Sequence, residues 1–218
     1  MVTISHLVKK AVSDNSFLLE AMSKELISHG NLAEQLKPEI ERELGKKVKE
    51  SAIVMALRRY AEELQSFDKK IKKFSFQGEI IMRTNIMDFN IVKSSNLLNK
   101  IKNIYSLVNF EKGDTLNIIL GSNEVSIVAN EKYKEKLSDF LKGEKILNKE
   151  FDLVALTIIF GSKEFLNTPG VIFTAIRKIA WEQINIYEII STMTELTFIL
   201  EKKDSMKAYN ALQELVRK

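Results

Sequence analysis

Leu153-Val154-Ala155-Leu156-Thr157-Ile158-Ile159-Phe160, a short polar break, and then Asn167-Thr168-Pro169-Gly170-Val171-Ile172: the fold is decided in this stretch. Its first eight residues have the length and composition of a buried strand. Pro-Gly then opens an amphipathic helix over 170–183. Proline is tolerated in a first helical turn, where its missing N–H has no intrahelical partner to lose, and glycine lets a ligand approach the backbone closely. The first backbone N–H groups of a helix carry partial positive charge and lack intrahelical acceptors, so the mouth formed at 167–172 suits a carboxylate. The same Pro-Gly is also ordinary punctuation before a helix.

Working outward, 185–191 and 196–200 read as strands and 204–216 as a helix. Upstream, the period changes at Gly78 from helical to alternating, which marks a domain boundary. Strands are expected at 79–85 and 87–93, a helix at 95–108, strands at 115–120 and 125–129, and a helix at 131–141. The order strand, helix, strand, strand, helix thus occurs twice, which implies a duplicated α+β layer with helices on one face of an antiparallel sheet. On the 170–183 helix, Ile172, Ala175, Ile176 and Ile179 form the expected sheet-facing stripe. Trp181 falls nearly opposite, where it suggests a second contact.

Residues 4–64 are helical throughout, with breaks at Asp14-Asn15-Ser16, His29-Gly30-Asn31 and Gly45-Lys46-Lys47. Ser16 and Asn31 are the expected N-caps, Gly30 the left-handed end of the second helix, and Pro38 a kink or break in the third. The fourth helix, 49–64, buries Ala52, Ile53, Ala56, Leu57, Tyr60, Ala61 and Leu64. Asn31 to Leu36 followed by Val48 to Tyr60, across a basic turn, has the form of a helix-turn-helix. In such a unit Lys46, Lys47, Lys49, Arg58 and Arg59 would meet the phosphates of duplex DNA. The same helices equally suit a protein-interaction or dimerisation module, and the second helix offers few side chains matched to base edges. The basic run 68–73 reads as a linker with snorkelling lysines.

Composition narrows the function classes. The formal net charge of +4 is carried mainly by the first 76 residues, a hint of an anionic partner there. Cysteine is absent, which removes disulfides and thiolate chemistry and fits a reducing compartment. The two histidines, His6 and His29, lie in different segments without a carboxylate motif, so no metal site is expected. No apolar run spans a bilayer and no signal peptide opens the chain, so the protein is expected in the cytoplasm without membrane association. The eight glycines form no phosphate loop or dinucleotide fingerprint, and no triad pattern appears. Glu188 and Glu195 fall at strand positions where exposed ion pairing is the default. Neither a catalytic set nor a cofactor is expected.

Thr168-Pro169-Gly170-Val171 through Ile179, Gln183-Ile184-Asn185-Ile186-Tyr187-Glu188-Ile189-Ile190-Ser191-Thr192, Glu195-Leu196-Thr197-Phe198-Ile199-Leu200 and the helix 204–215 together resemble an ACT domain. The nearest likeness is to the regulatory ACT domains that follow the kinase domain of aspartate kinases, and it covers about 151–216. The earlier unit matches only in the order of its elements. It has Lys93-Ser94-Ser95 where the later one has Pro-Gly, so no ligand is expected there.

The resemblance implies two ferredoxin-like βαββαβ units. The later unit needs a fourth strand that nothing after its last helix supplies. Nested ACT pairs meet this need with a strand from ahead of the pair, so 79–85 is expected beside 151–160. The implied division is a helical module at 1–66, a basic linker at 67–78, a first ACT unit at 79–149 (with 79–85 completing the second) and a second at 150–218. Carried over by residue, the ligand contacts would be Asn167, Thr168, Gly170, Val171 and Ile172 at the helix mouth. Asn185, Ile186 and Tyr187 would come from the second strand of a partner subunit or sister domain. The implied protein is a non-enzymatic regulator, a homodimer that senses an amino acid or similar small molecule and could act on DNA. Its rival is an interaction subunit that uses the ACT pair to dimerise and regulates an enzyme in trans.

Overall fold

Capping decides where the N-terminal helices stop. The computed structural model describes residues 3–73, 78–161 and 164–216, and the chain divides into two units, Met1–Phe74 and Ser75–Lys218. The first holds α1 (Ile4–Ser13), α2 (Ser16–Ser23), α3 (His29–Leu44) and α4 (Glu50–Lys73). Leu7, Val8, Val12, Met22, Leu32, Ala33, Ile40, Ile53, Leu57 and Ala61 form its core.

Several boundaries differ from the sequence expectation. Asn15, not Ser16, caps α2, its side chain accepting from the Phe17 and Leu18 N–H groups. The helix ends early in a Schellman turn: Glu25 is left-handed at φ 57°, and the Leu26 N–H reaches the Ala21 carbonyl at 2.8 Å. Ser28 then caps α3, so Gly30 lies inside the first turn of α3 rather than ending α2, and Asn31 donates its N–H to Ser28 Oγ. Pro38 sits within α3 without ending it. Gly45, at φ 65°, provides the left-handed stop. The run read as a linker is helical as far as Lys73, because lysine is a good helix former; 74–77 lie outside the described residues.

The second unit is a curled antiparallel sheet of six strands: β1 (Gly78–Val92), β2 (Leu116–Leu120), β3 (Glu124–Asn130), β4 (Ile146–Phe160), β5 (Glu188–Ser191) and β6 (Glu195–Glu201). The strand order is β2-β3-β1-β4-β6-β5. The helices are α5 (Ser95–Ile101), α6 (Lys134–Phe140), α7 (Glu164–Asn167), α8 (Val171–Trp181) and α9 (Ser205–Val216).

β1 and β4 are each 15 residues long and are central to this order. The first half of β1 pairs with the second half of β4, Glu79 opposite Ile159 and Arg83 opposite Ala155. The second half of β1 lies between β3 and the first half of β4, Asp88 opposite both Val128 and Glu150. The two β1 segments expected at 79–85 and 87–93 are therefore one strand. It is interrupted by a bulge where Asn85 takes φ 57°, and β4 has a matching bulge at Asp152, φ 53°. Asn and Asp tolerate this conformation better than other side-chain-bearing residues. Gly78 permits the first pair, since a Cβ there would run into the Ile159 carbonyl.

Alternation sorts the sheet's faces. Met87, Phe89, Ile91, Val125, Ile127 and Ala129 pack under Leu97, Ile101, Ile104, Leu137 and Leu141. Val154, Leu156, Ile158, Leu196, Phe198 and Leu200 are buried along the other half, where α9 packs on β1 and β4, and α8 on α9. On the opposite, helix-free face, Ile86, Val128, Leu153, Ala155 and Ile199 form a smaller core with Tyr187 and Ile190 against it. The buried stripe of α8 is Val171, Ala175 and Ile179, and Ile172 is exposed. Starting the helix directly after left-handed Gly170 sets this i, i+4 register, which turns Ile172 away from the sheet. Trp181 is on the outer side, 63% exposed.

Candidate functional site

The mouth of α8 is built by two reversals. α7 supplies one helical turn ending at Asn167, and Gly170 then takes φ 90° as the N-cap of α8. Gly170, as N-cap, has no side chain with which to cap the helix. The Thr174 N–H and hydroxyl both donate to the Gly170 carbonyl at 2.9 Å, which fixes the first turn from below. The N–H groups above it, beginning at Val171, point at the mouth. Asn167 and Ile172 are exposed, Thr168 and Gly170 half-buried, and Val171 buried. Thus Asn167 and Thr168 directly precede the turn through which the backbone at 170–172 enters the helix.

The strand residues are not brought to that end within the chain. β5 pairs with β6, Glu188 opposite Ile199, and β6 with β4, Glu201 opposite Leu153. Tyr187, whose N–H bonds the Ile199 carbonyl at 2.8 Å, therefore lies toward the Leu153 end of β4, whereas the α8 mouth follows Phe160 at the other end. Asn185 is exposed, and Ile186 and Tyr187 are half-buried. The Tyr187 hydroxyl donates to Glu201 Oε1 at 3.2 Å, and burial, reinforced by Glu150 and Glu201, pushes its phenol pKa up, so it stays neutral.

The equivalent mouth in the first half of the sheet is closed by a side chain that sequence reasoning missed. Ser94 caps α5, its Oγ accepting from the Leu97 N–H at 2.9 Å and donating to Glu144 Oε2 at 2.9 Å. Lys100 Nζ pairs with Glu144 Oε1 at 2.9 Å, and Asn96 Nδ2 donates to the same oxygen. The Glu144 side chain is only 4% exposed. The Lys100 hydrogen bond, with those from Ser94 and Asn96, holds its pKa below the ordinary glutamate value. Glu144 lies fifty residues from Ser94 in the chain, so no local pattern could reveal the contact.

Lys46, Lys47, Lys49, Arg58 and Arg59 are all exposed, the first three between α3 and α4 and the arginines on α4. The Val48 N–H donates to Glu41 Oε1 at 2.9 Å, which ties the connection back onto α3. Among the described residues, no group of three His, Cys, Asp or Glu side chains is placed to hold a metal ion, and no helix is long and apolar enough to cross a membrane.

No family profile and no curated sequence matches the chain. Solved structures do. The regulatory subunit of aspartate kinase from Thermus thermophilus, in its ligand-free form, superposes with a TM-score of 0.52 at 14% identity, covering 64% of this chain and 97% of that one. The corresponding subunit from Thermus flavus gives 0.52 at 13%, covering 65% and 99%. The Clostridium acetobutylicum aspartate kinase gives 0.51 at 16%, covering 63% of this chain and 34% of that enzyme, so the likeness spans about a third of the kinase. About two-thirds of the chain thus has the fold of aspartate-kinase regulatory subunits.

Proposed function

We propose that the chain is a non-enzymatic regulator built on two nested ACT units, and that it senses an amino acid or a similar small carboxylate at the α8 mouth. In this reading the second half of β1 opens the earlier unit and the first half of β4 closes it. Conversely, the second half of β4 opens the later unit and the first half of β1 closes it. The domain division is then a helical module at 1–66, a connection at 67–78, a first unit at 79–149 that lends 79–85 to the second, and a second unit at 150–218. The likeness to regulatory subunits supports the architecture. The observation that carries the ligand site is the glycine N-cap at Gly170, which has no side chain of its own to cap α8, whereas the sister helix start in the same sheet is filled by a carboxylate, Glu144.

Asn167, Thr168, Gly170, Val171 and Ile172 form one wall of the proposed site, and Asn185, Ile186 and Tyr187 the other. Because β5 begins at the end of the half-sheet away from the α8 mouth, this reading takes the second wall from another copy, with a homodimer as the working state. A thermal-shift screen against the twenty amino acids tests this. A specific ligand at a hundredfold its Kd should add about 2.7 kcal/mol, and no shift with any of them would overturn the site.

For the N-terminal module, the exposed Lys46, Lys47, Lys49, Arg58 and Arg59 support contact with duplex DNA. Retention on duplex DNA should fall steeply with salt and be lost in the Arg58→Ala, Arg59→Ala double variant. If there is no retention even at low salt, the chain is the interaction subunit that regulates an enzyme in trans.

A further inference from the structure

The curl of the sheet brings together strands that its order keeps far apart. β3 and β5 are separated by β1, β4 and β6, yet on the helix-free face Ser126 of β3 lies 2.7 Å from Glu188 Oε1 of β5. The same Ser126 Oγ lies 2.9 Å from Oδ1 of Asp88 on β1. Asp88 and Ser126 are almost wholly buried, and Glu188 is half-buried. Sequence pattern alone made Glu188 an exposed, ion-paired strand residue; its contact with β3 corrects that.

A hydroxyl carries one hydrogen. With both carboxylates ionised, Ser126 could donate to only one of them, and the other oxygen would sit at hydrogen-bond distance with no proton between. A second proton therefore belongs in this contact. Burial pushes the Asp88 pKa up as well, but Asn90 Nδ2 donates to its Oδ2 at 2.8 Å and the Phe89 backbone adds a further hydrogen bond, so by its donors Asp88 is the better-supported anion. Glu188 has no matching set of donors: burial pushes its pKa up, Ser126 opposes this, and the charges of Asp88 and Glu124 add to the rise. The charged groups acting on Glu188 are Asp88 on β1 and Glu124 on β3, and the one acting on Asp88 is Glu150 on β4; all are acidic.

We propose that Glu188 is protonated when the sheet is closed and that the chain Glu188 Oε1–H to Ser126 Oγ–H to Asp88 Oδ1 is a proton-dependent latch holding the β5 edge onto β3. The sign follows from linkage. The closed state binds a proton that an open edge releases near the ordinary glutamate value, so the latch is complete at low pH. It is lost as pH rises through the higher value of the closed form. Ionised Glu188 then meets Asp88 and Glu124, both acidic. The edge releases, and Tyr187 and Ile190 leave the small core around Val128. Because β5 follows directly on Asn185, Ile186 and Tyr187, opening would free the strand wall of the ligand site; that consequence alone rests on the function proposed above.

Hydrogen exchange of the full chain without any amino acid tests the latch separately from ligand binding. After correction for intrinsic rates, protection of the 186–191 amides should fall by about tenfold or more between about pH 5 and about pH 8. Glu188→Gln, whose Nε2–H replaces the proton, should stay protected at both, and Ser126→Ala should be unprotected at both. A Glu188→Gln profile that follows the wild type, or equal wild-type protection at the two pH values, would overturn the latch. So would a Glu188 side-chain carbon signal titrating at or below the ordinary glutamate value.

Discussion

The mouths of α5 and α8 occupy the same place in the two halves of one sheet, yet each satisfies its helix start differently. At α5, Ser94 caps the backbone and Glu144 is held over the cap by Ser94, Asn96 and Lys100. At α8, Gly170 turns the chain and, as a glycine N-cap, brings no capping side chain of its own. A negative group is favourable at either helix start. One half of the molecule carries that group in its own chain, and in the proposed function the other receives it from a ligand. The internal carboxylate shows what chemistry an incoming ligand would have to supply.

The comparison can be broken at either mouth. The largest effect is expected from Gly170→Asp: a fixed carboxylate at the open mouth would repel a ligand carboxylate and remove essentially all of the roughly 2.7 kcal/mol that a saturating amino acid adds, read as loss of the ligand-dependent rise in Tm. Retention of the full shift would move the site elsewhere. Glu144→Ala comes next. Hydrogen bonds to charged groups are worth about 1.5–3 kcal/mol each when their partners stay buried. With Lys100 able to turn to solvent, a net loss of roughly 2 kcal/mol is expected in denaturant unfolding. An unchanged midpoint would mean that the closed mouth is only a crystal-like surface pairing of little consequence.

Ser94→Ala should cost about 1 kcal/mol for the cap and, in a double-mutant cycle with Glu144→Ala, should be strongly non-additive because both act through one contact. The smallest effect is in the acid limb. The Glu144 pKa is lowered on folding, so its contribution is present above the ordinary glutamate value and lost as pH falls through the lower, folded one. Glu144→Gln should flatten that part of the stability profile, and an identical acid limb would show that the carboxylate is not held by its charge.

Much of this architecture was legible because it is local. The change of period at Gly78, the strand 153–160 and the Pro169-Gly170 start each announce themselves within a few residues. Where the reading failed, the chain broke a local rule for a non-local reason. Asn85 and Asp152 adopt left-handed conformations inside long strands, so β1 looked like two strands. The first half of β4, Ile146-Leu147-Asn148-Lys149-Glu150, is too polar to resemble a strand, and pairing with the second half of β1 holds it extended. In the helical unit, a Schellman turn on Glu25 in place of glycine moved a boundary by several residues.

Of the proposed site, the mouth at 167–172 was visible from residue types, and the strand at 185–187 from a family likeness. That these lie at opposite ends of one half-sheet follows only from the pairing of β4, β5 and β6. By itself the sequence determined the order of the elements, the glycine start of α8 and the faces that must be buried, because periodicity, turn chemistry and capping act over a few residues. Only the tertiary structure decided that Glu144 fills the sister mouth and that Asp88, Ser126 and Glu188 meet across the curled face. Those contacts join residues dozens of positions apart, and the bending of β1 and β4 brings them within hydrogen-bond reach.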